Sequence, residues 1–186
     1  MERNVSQTIQ KAADCLAFWK DAGYEKWFTK DAAFDLEFSS RFMNLHFAAA
    51  RREHDDWIEH PESALALMIL LDQFPRNVFR GTGHMFATDP LARMYARIAI
   101  DRGHDKAVDD ELAAFFYLPF EHSEDLADQD LSVKLFNALG GDWTKYSDEH
   151  HEIIKRFGRF PHRNPQLGRT STPEELKFLA DGGFAG

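Results

Sequence analysis

Cysteine is almost absent: one thiol, Cys15, stands in 186 residues. That excludes a disulfide framework and a cysteine-rich zinc site. Long apolar runs are missing too. The longest, Ala64 to Leu71, has eight residues, against about 20 for a bilayer crossing. The polar, charged N-terminal segment has no signal-peptide core, so a cytoplasmic location away from membranes is expected. Basic residues are in deficit, 22 against 31 acidic, for a net charge of −9 and a pI near 5.4. A nucleic-acid partner is not expected from such a balance. No alternating β-branched run lies between turn signals, so no sheet is expected.

What is present is apolar and helical. Hydrophobic residues make up 44%, with 17 Phe, which places the chain far from disordered compositions. The length suits one domain that needs no metal or disulfide to stay folded. Phe34, Phe38 and Phe42 recur every four residues, and Leu45 and Ala49 extend the stripe at helical steps. A first helix is predicted from Val5 to Asp21, stopping near Gly23. Pro61 opens another that runs from Glu62 to Gln73. Asp89-Pro90 reads as cap and first turn of a helix with Met94, Tyr95, Ile98 and Ala99 inward and Gly103 at its end. A helix from Asp109 carries Leu112, Phe115, Phe116 and Leu118 to a stop at Pro119. Ser123 reads as the next cap, Asp142 opens a helix that ends at Phe157-Gly158, and Thr172 with Glu175 has capping-box spacing. The expectation is an all-α chain of about eight helices forming a single helical domain over residues 1–186.

Charge is concentrated locally. Lys155 to Arg169 holds five basic residues, no acid, and His162, which leaves −14 for the rest of the chain. Glu121 to Asp130 holds five acids beside His122. Asp72, Arg76 and Arg80 follow the most apolar segment. Phe74-Pro75-Arg76-Asn77 and Phe160-Pro161-His162-Arg163-Asn164 echo each other, each proline expected to push the preceding Phe out of helical geometry. Charges in such segments are partly buried and must be paired or bind something. Two readings stay open: arginines tying helix ends to acids, or a pocket for a small anion, which guanidinium forks suit. An Arg–Phe surface for nucleic acid fits the acidic remainder poorly.

His122, between carboxylates, suits a general base or a bond to a backbone carbonyl. Ser123 has no nucleophile elbow. His162 can contact an anion or donate a proton. His150 and His151 point about 100° apart on a helix and Asp148–His151 has no second pair, so no metal is expected. Cys15 reads as a buried, inert thiol, and Arg51 to Asp56 as a solvated helix end.

Asp72-Gln73-Phe74-Pro75-Arg76-Asn77 with Arg80 resembles a motif of the bacterial domain-of-unknown-function family 924. Leu118-Pro119 with His122-Ser123-Glu124-Asp125 is similar to a second, and Arg156 to Asn164 with Leu167-Gly168-Arg169 to a third, all in the family's order. The resemblance covers about Leu16 to Leu179. Phe18-Trp19-Lys20 departs from it, and Glu121 stands where an apolar residue is usual. It implies an all-helical, tetratricopeptide-like fold and supplies no reaction. Together these readings nominate His122, His162, Glu124 and Asp72 for proton transfer. Arg76, Asn77, Arg80, Arg159, Arg163, Asn164 and Arg169 are nominated as ligand contacts in one groove. The expected ligand is a small anionic metabolite, handled without an organic cofactor. The alternative is a protein-interaction module that takes an acidic peptide on a helical-hairpin surface.

Overall fold

The structure, a computed structural model, describes residues 2–186, with side chains from residue 9 onward. Among the described residues there are helices and short turns but no strand, so the chain is all-α. Its packing groups into two compact units, Met1–Arg80 with His84–Pro119, and Gly81–Gly83 with Phe120–Gly186.

The first unit begins with α1 (Glu2–Trp27), broken at Gly23, where φ is +74°. That is the stop the sequence signals, although the helix resumes for one further turn. Helix α2 (Ala32–Ala50) is capped by Asp31, whose carboxylate accepts from the Ala33 and Phe34 amides. Its Phe34, Phe38, Phe42 and Ala49 are buried as the stripe requires, and the fourth position inside is His46 where the pattern suggested Leu45. Phe18 stacks on Phe34 at 5.2 Å and Trp19 meets Phe115 edge-on at 5.4 Å. Cys15 lies in this core, fully buried, and burial pushes its thiol far above the usual range.

Residues Ala64 to Leu71 are completely inaccessible. At about 1.5–3 kcal/mol for each large aliphatic side chain buried, this stretch is the main hydrophobic anchor of the unit. It spans α3 (Pro61–Met68) and a wide, π-type turn at Ile69–Gln73, and α4 (Phe74–Val78) continues from it. Phe74 is therefore not expelled by Pro75: its φ and ψ of −51° and −48° are helical. A proline inside a helix lacks an N–H and crowds the carbonyl four residues back. Widening the turn accommodates the ring, with the Phe74 amide reaching back to the Ile69 carbonyl. Pro75 can serve neither the Leu70 nor the Leu71 carbonyl. His46 Nδ1 donates to the first at 2.8 Å and Thr88 Oγ1 to the second at 2.5 Å.

Helix α5 (Asp89–Asp101) starts one residue earlier than a cap at Asp89 would give: Thr88 holds the cap position and Asp89 lies inside. Tyr95 and Ala99 are buried, while Met94 and Ile98 are half-buried. Helix α6 (Asp110–Glu121) runs through Pro119 instead of stopping there. Pro119 falls in the last turn, where a lost amide bond costs least. The carbonyls of Glu121 and Ser123, at and just beyond the helix end, accept from Gln129 Nε2 at 2.6 and 2.7 Å.

In the second unit α7 (Leu126–Leu139) is capped by Asp125, not Ser123. Ser123 Oγ instead donates to Asp128 at 2.7 Å. Helix α8 (Trp143–Phe157) ends at Gly158 in the left-handed region, as the sequence predicts. Helix α9 (Pro173–Ala180) opens with the complete Thr172–Glu175 capping box. Ile153, Ile154 and Phe160 form a small core against which Phe157, Phe178 and Phe184 pack. No helix among the described residues is long and apolar enough to cross a membrane.

Replacing Thr88 with valine keeps the shape and strands the buried Leu71 carbonyl. Such a loss costs about 1–3 kcal/mol, so Thr88→Val should melt about 2–12 °C below the parent chain. An unchanged melting temperature would mean that the wide turn needs no external donor.

Candidate functional site

The nominated residues fall in the two units and form a polar cluster in each. In the first, the α4 helix presents Arg76 and Asn77 from helical backbone. Arg76 forks onto Asp89, with Nη1–Oδ1 at 2.8 Å and Nη2–Oδ2 at 3.0 Å, and reaches the Asp72 carboxylate at 3.1 Å and the Asp72 carbonyl at 2.7 Å. Asp72 is buried and also accepts from Gln73 Nε2 at 2.6 Å. Asn77 Nδ2 donates to Asp35 at 2.8 Å, and Arg80 Nε to the other oxygen of the same carboxylate at 2.8 Å. Asp35 and Asp89 were not among the sequence candidates. Asp89 reads from sequence as a helix cap and Asp35 carries no motif, and neither position discloses a partner 13 or 45 residues away.

The second cluster is held by two arginine–carboxylate forks. Arg159 binds Glu175 through Nε–Oε1 at 2.6 Å and Nη2–Oε2 at 2.8 Å, and its Nη2 also donates to the Thr170 carbonyl at 2.9 Å. Arg169 binds Glu124 at 2.7 and 2.9 Å and donates to the Phe160 carbonyl at 3.1 Å. Asn164, fully buried, joins the two: its Oδ1 accepts from Arg169 Nε at 2.9 Å, and its Nδ2 donates to Glu175 at 3.2 Å and to Ser171 Oγ at 3.0 Å. Glu124 also accepts from the Phe160 amide at 2.8 Å. Glu175 carries a capping-box bond from the Thr172 amide at 2.7 Å.

This geometry sets the charge states. The Arg159 fork, helped against burial by the Thr172 amide and Asn164, holds the Glu175 carboxyl down at about 2. Burial pushes Glu124 up, but Arg169, the Phe160 amide and the charge of Arg163 more than offset it, so this carboxyl also lies below its ordinary value.

Phe160 is the centre of the remaining basic groups. Pro161 does force it into extended backbone, with φ −87° and ψ 109°. The Arg163 guanidinium sits over its ring at 4.3 Å, the His162 ring at 5.6 Å, and the His150 ring meets it edge-on at 5.5 Å. His150 is buried, with Nδ1 donating to the Tyr146 carbonyl at 2.8 Å and Glu121 Oε1 3.8 Å away. Burial, reinforced by the charges of His122, Arg163 and His162, pulls its pKa down to about 3. His122 is half-buried in the turn after α6, which Gln129 and the Ser123–Asp128 bond hold in place. Sequence reasoning missed His150, which it weighed only as a metal ligand, and Gln129, whose role depends on a fold-back of six to nine residues. His151 binds Asp130 at 2.9 Å. Among the described residues no three His, Cys, Asp or Glu side chains are grouped as a metal site needs.

The family model of bacterial proteins of unknown function, DUF924, matches residues 15–183. The chain belongs to this family. The chain is also similar to the solved structure of a protein of unknown function, ATU0120, from Agrobacterium tumefaciens. The two share 59% identity and a TM-score of 0.93, over 94% of this chain and 99% of that one. No curated protein matches. In this DUF924 member the residues just described form two sets of forks and a group of basic side chains around Phe160.

Two measurements test the site's energetics. Glu175→Ala leaves Arg159, Asn164 and the Thr172 amide without their acceptor. Breaking a buried pair costs about 3–5 kcal/mol, so its melting temperature should fall by about 6–20 °C. A change under 2 °C would show the fork to be dispensable.

The second concerns pH. His150 has a folded pKa below its unfolded one, so the stability it contributes is complete above about pH 6.5 and is lost as pH falls toward 3. His46 and His54, also lowered by burial, act in the same direction. Each histidine of this kind contributes a slope of up to about 1.4 kcal/mol per pH unit. Denaturant unfolding between pH 6.5 and 4 should show that decline, and His150→Gln should flatten it by about one proton. An equal slope in both proteins would place the buried proton-sensitive group elsewhere.

Proposed function

We propose that this protein is a cytoplasmic one that binds a small anionic metabolite in its second unit, with Arg163, His162 and His122 as the contacting groups. The single observation that carries the reading is the gathering of Arg163, His162 and His150 around one aromatic ring, Phe160. His150 is a neutral ring here, and Arg163 and His162 lie beside it on the same Phe160, so guanidinium geometry and histidine donors coincide in a way that suits an anion. Arg159, Arg169, Asn164 and Glu124 are then the frame of the site, since their hydrogen bonds go to one another and to the backbone. In the first unit Asp72, Arg76, Asn77 and Arg80 have the same framing role around Asp35 and Asp89. If chemistry follows binding, it is proton transfer or hydrolysis on a phosphorylated or carboxylated metabolite. His162 and His122 are then the exchanging groups, and no organic cofactor is used.

A second reading is a tetratricopeptide-like interaction module for an acidic peptide. The exposed apolar side chains Leu126, Tyr146, Leu167 and Leu176 of the second unit favour it. The two differ in salt response: an open surface weakens steeply as ions screen it, a recessed site much less.

Melting the protein with and without inorganic phosphate at constant ionic strength tests the proposal. Phosphate should raise the melting temperature of the wild type by several degrees through mass action and should leave Arg163→Gln unmoved. Arg76→Gln should melt lower yet keep the phosphate response. A wild type indifferent to phosphate and to carboxylates such as citrate would overturn the anion reading.

A further inference from the structure

The segment after α9 is folded back onto the basic side chains around Phe160. At Gly183 the backbone runs so close to the Phe178 ring that a Cβ there would sit 2.5 Å from its carbons, so a larger residue would have to push that ring aside. The Gly183 amide donates to the Phe178 carbonyl at 2.9 Å, the last backbone bond that steers the segment. Beyond it, Phe184 sets its ring edge-on to two histidines, His150 at 4.5 Å and His162 at 5.1 Å. Gly186 then lies against His162, where a Cβ would come within 3.1 Å of Cδ2. Phe184 is half-buried and packs on the Phe160 core.

An aromatic ring between two imidazoles, with backbone following along one of them and a guanidinium over the neighbouring Phe160, is a mixed environment. It suits a molecule with an aromatic ring at one end and an acidic group a few bonds away. We propose that His150, His162 and Phe160 form an aromatic subsite of the anion site, and that Phe184 occupies it as an intramolecular stand-in for an aromatic carboxylate ligand. The inference rests on the anion reading above and adds the ligand's class. His150 contributes a neutral ring wall, and Arg163 with His162 supplies the charge recognition. The tail and the ligand then compete for one place, so the affinity of the resting protein for such a ligand is reduced by the fraction of time the tail is seated.

The test uses two probes of one shape, 3-phenylpropionate and the uncharged 3-phenylpropan-1-ol, titrated calorimetrically into the wild type, Phe184→Ala and Phe184→Ala/Arg163→Gln. The carboxylate should bind Phe184→Ala at least ten-fold more tightly than it binds the wild type, and at least ten-fold more tightly than the alcohol binds. Adding Arg163→Gln should bring the carboxylate down to the alcohol's affinity and leave the alcohol unchanged. Phe184→Leu, which keeps apolar volume without the ring, serves if the alanine variant does not fold, with a smaller gain of the same kind. Equal binding of the two probes would overturn the proposal, because it would mean only an apolar hole filled by any phenyl group. So would binding that does not rise when Phe184 is removed, which would make the tail simple core packing. A phosphate response of the wild type without phenyl selectivity sinks the subsite and leaves the anion site standing. Phenyl selectivity without a phosphate response supports the subsite and restricts the anion site to carboxylates. Loss of both removes the site altogether.

Discussion

Asn164 joins the two forks of the second unit, and the path of the chain from Gly158 to Thr172 depends on that junction. Apart from one short turn at Pro161–Arg163, this stretch has no helix or strand to satisfy its backbone. Turn bonds such as the Arg169 amide on the Asn164 carbonyl, at 2.8 Å, serve part of it, and side chains serve much of the rest. Glu124 takes the Phe160 amide, Arg169 takes the Phe160 carbonyl, Arg159 takes the Thr170 carbonyl and Glu175 takes the Thr172 amide. Each fork therefore binds backbone as well as its charged partner. Buried ion pairs are weak stabilisers when they only replace apolar contacts, because desolvation offsets their attraction. Here they satisfy groups that would otherwise be stranded, which is a different role. An apolar pair of equal volume could fill the space but could not carry the backbone bonds.

That frame has a consequence for the groups it displays. Glu175 and Glu124 stay ionised well into acid, so the forks persist across the range in which histidines exchange protons. The arginines are thereby held in place by their own carboxylates, which is the kind of support a preorganised site requires.

The first unit solves a similar problem with different means. A proline in mid-helix strands carbonyls, and His46 and Thr88 come in from the side to take them. This is why Pro75 and Pro119 were misread as helix ends. Their local signal is a stop; Thr88, remote in sequence, takes the Leu71 carbonyl that Pro75 leaves, and Pro119 falls in the last turn of its helix, where it interrupts least. The readings that held are those whose physics is local. The Phe34–Phe38–Phe42 stripe, the break at Gly23 and the Thr172–Glu175 box each depend on residues within one or two turns. Pro161, lying outside a helix, acts on Phe160 as the local rule says. The same division runs through the polar residues. Their positions were visible from charge and motif, while the identity of each partner, Asp35, Asp89, Glu124 or Glu175, was set by packing that spacing alone does not encode.

The charge distribution also makes sense on these terms. An acidic chain gathers its positive groups in one stretch, yet the forks neutralise much of that stretch internally, with Arg156 on Glu174, Arg159 on Glu175 and Arg169 on Glu124. The rest of the stretch is Lys155, which pairs with Glu152, and the short turn that carries His162 and Arg163. On the proposed anion reading, a diffuse basic face would attract any polyanion, whereas a small basic turn in an acidic chain would favour ligands small enough to fit. On the proposed subsite, Phe184 packed against Phe160 would narrow the choice further, because entry would require the ligand to replace a ring as well as to supply a charge. Size, sign and aromaticity would act together as the filter, all set by residues between Glu121 and Gly186.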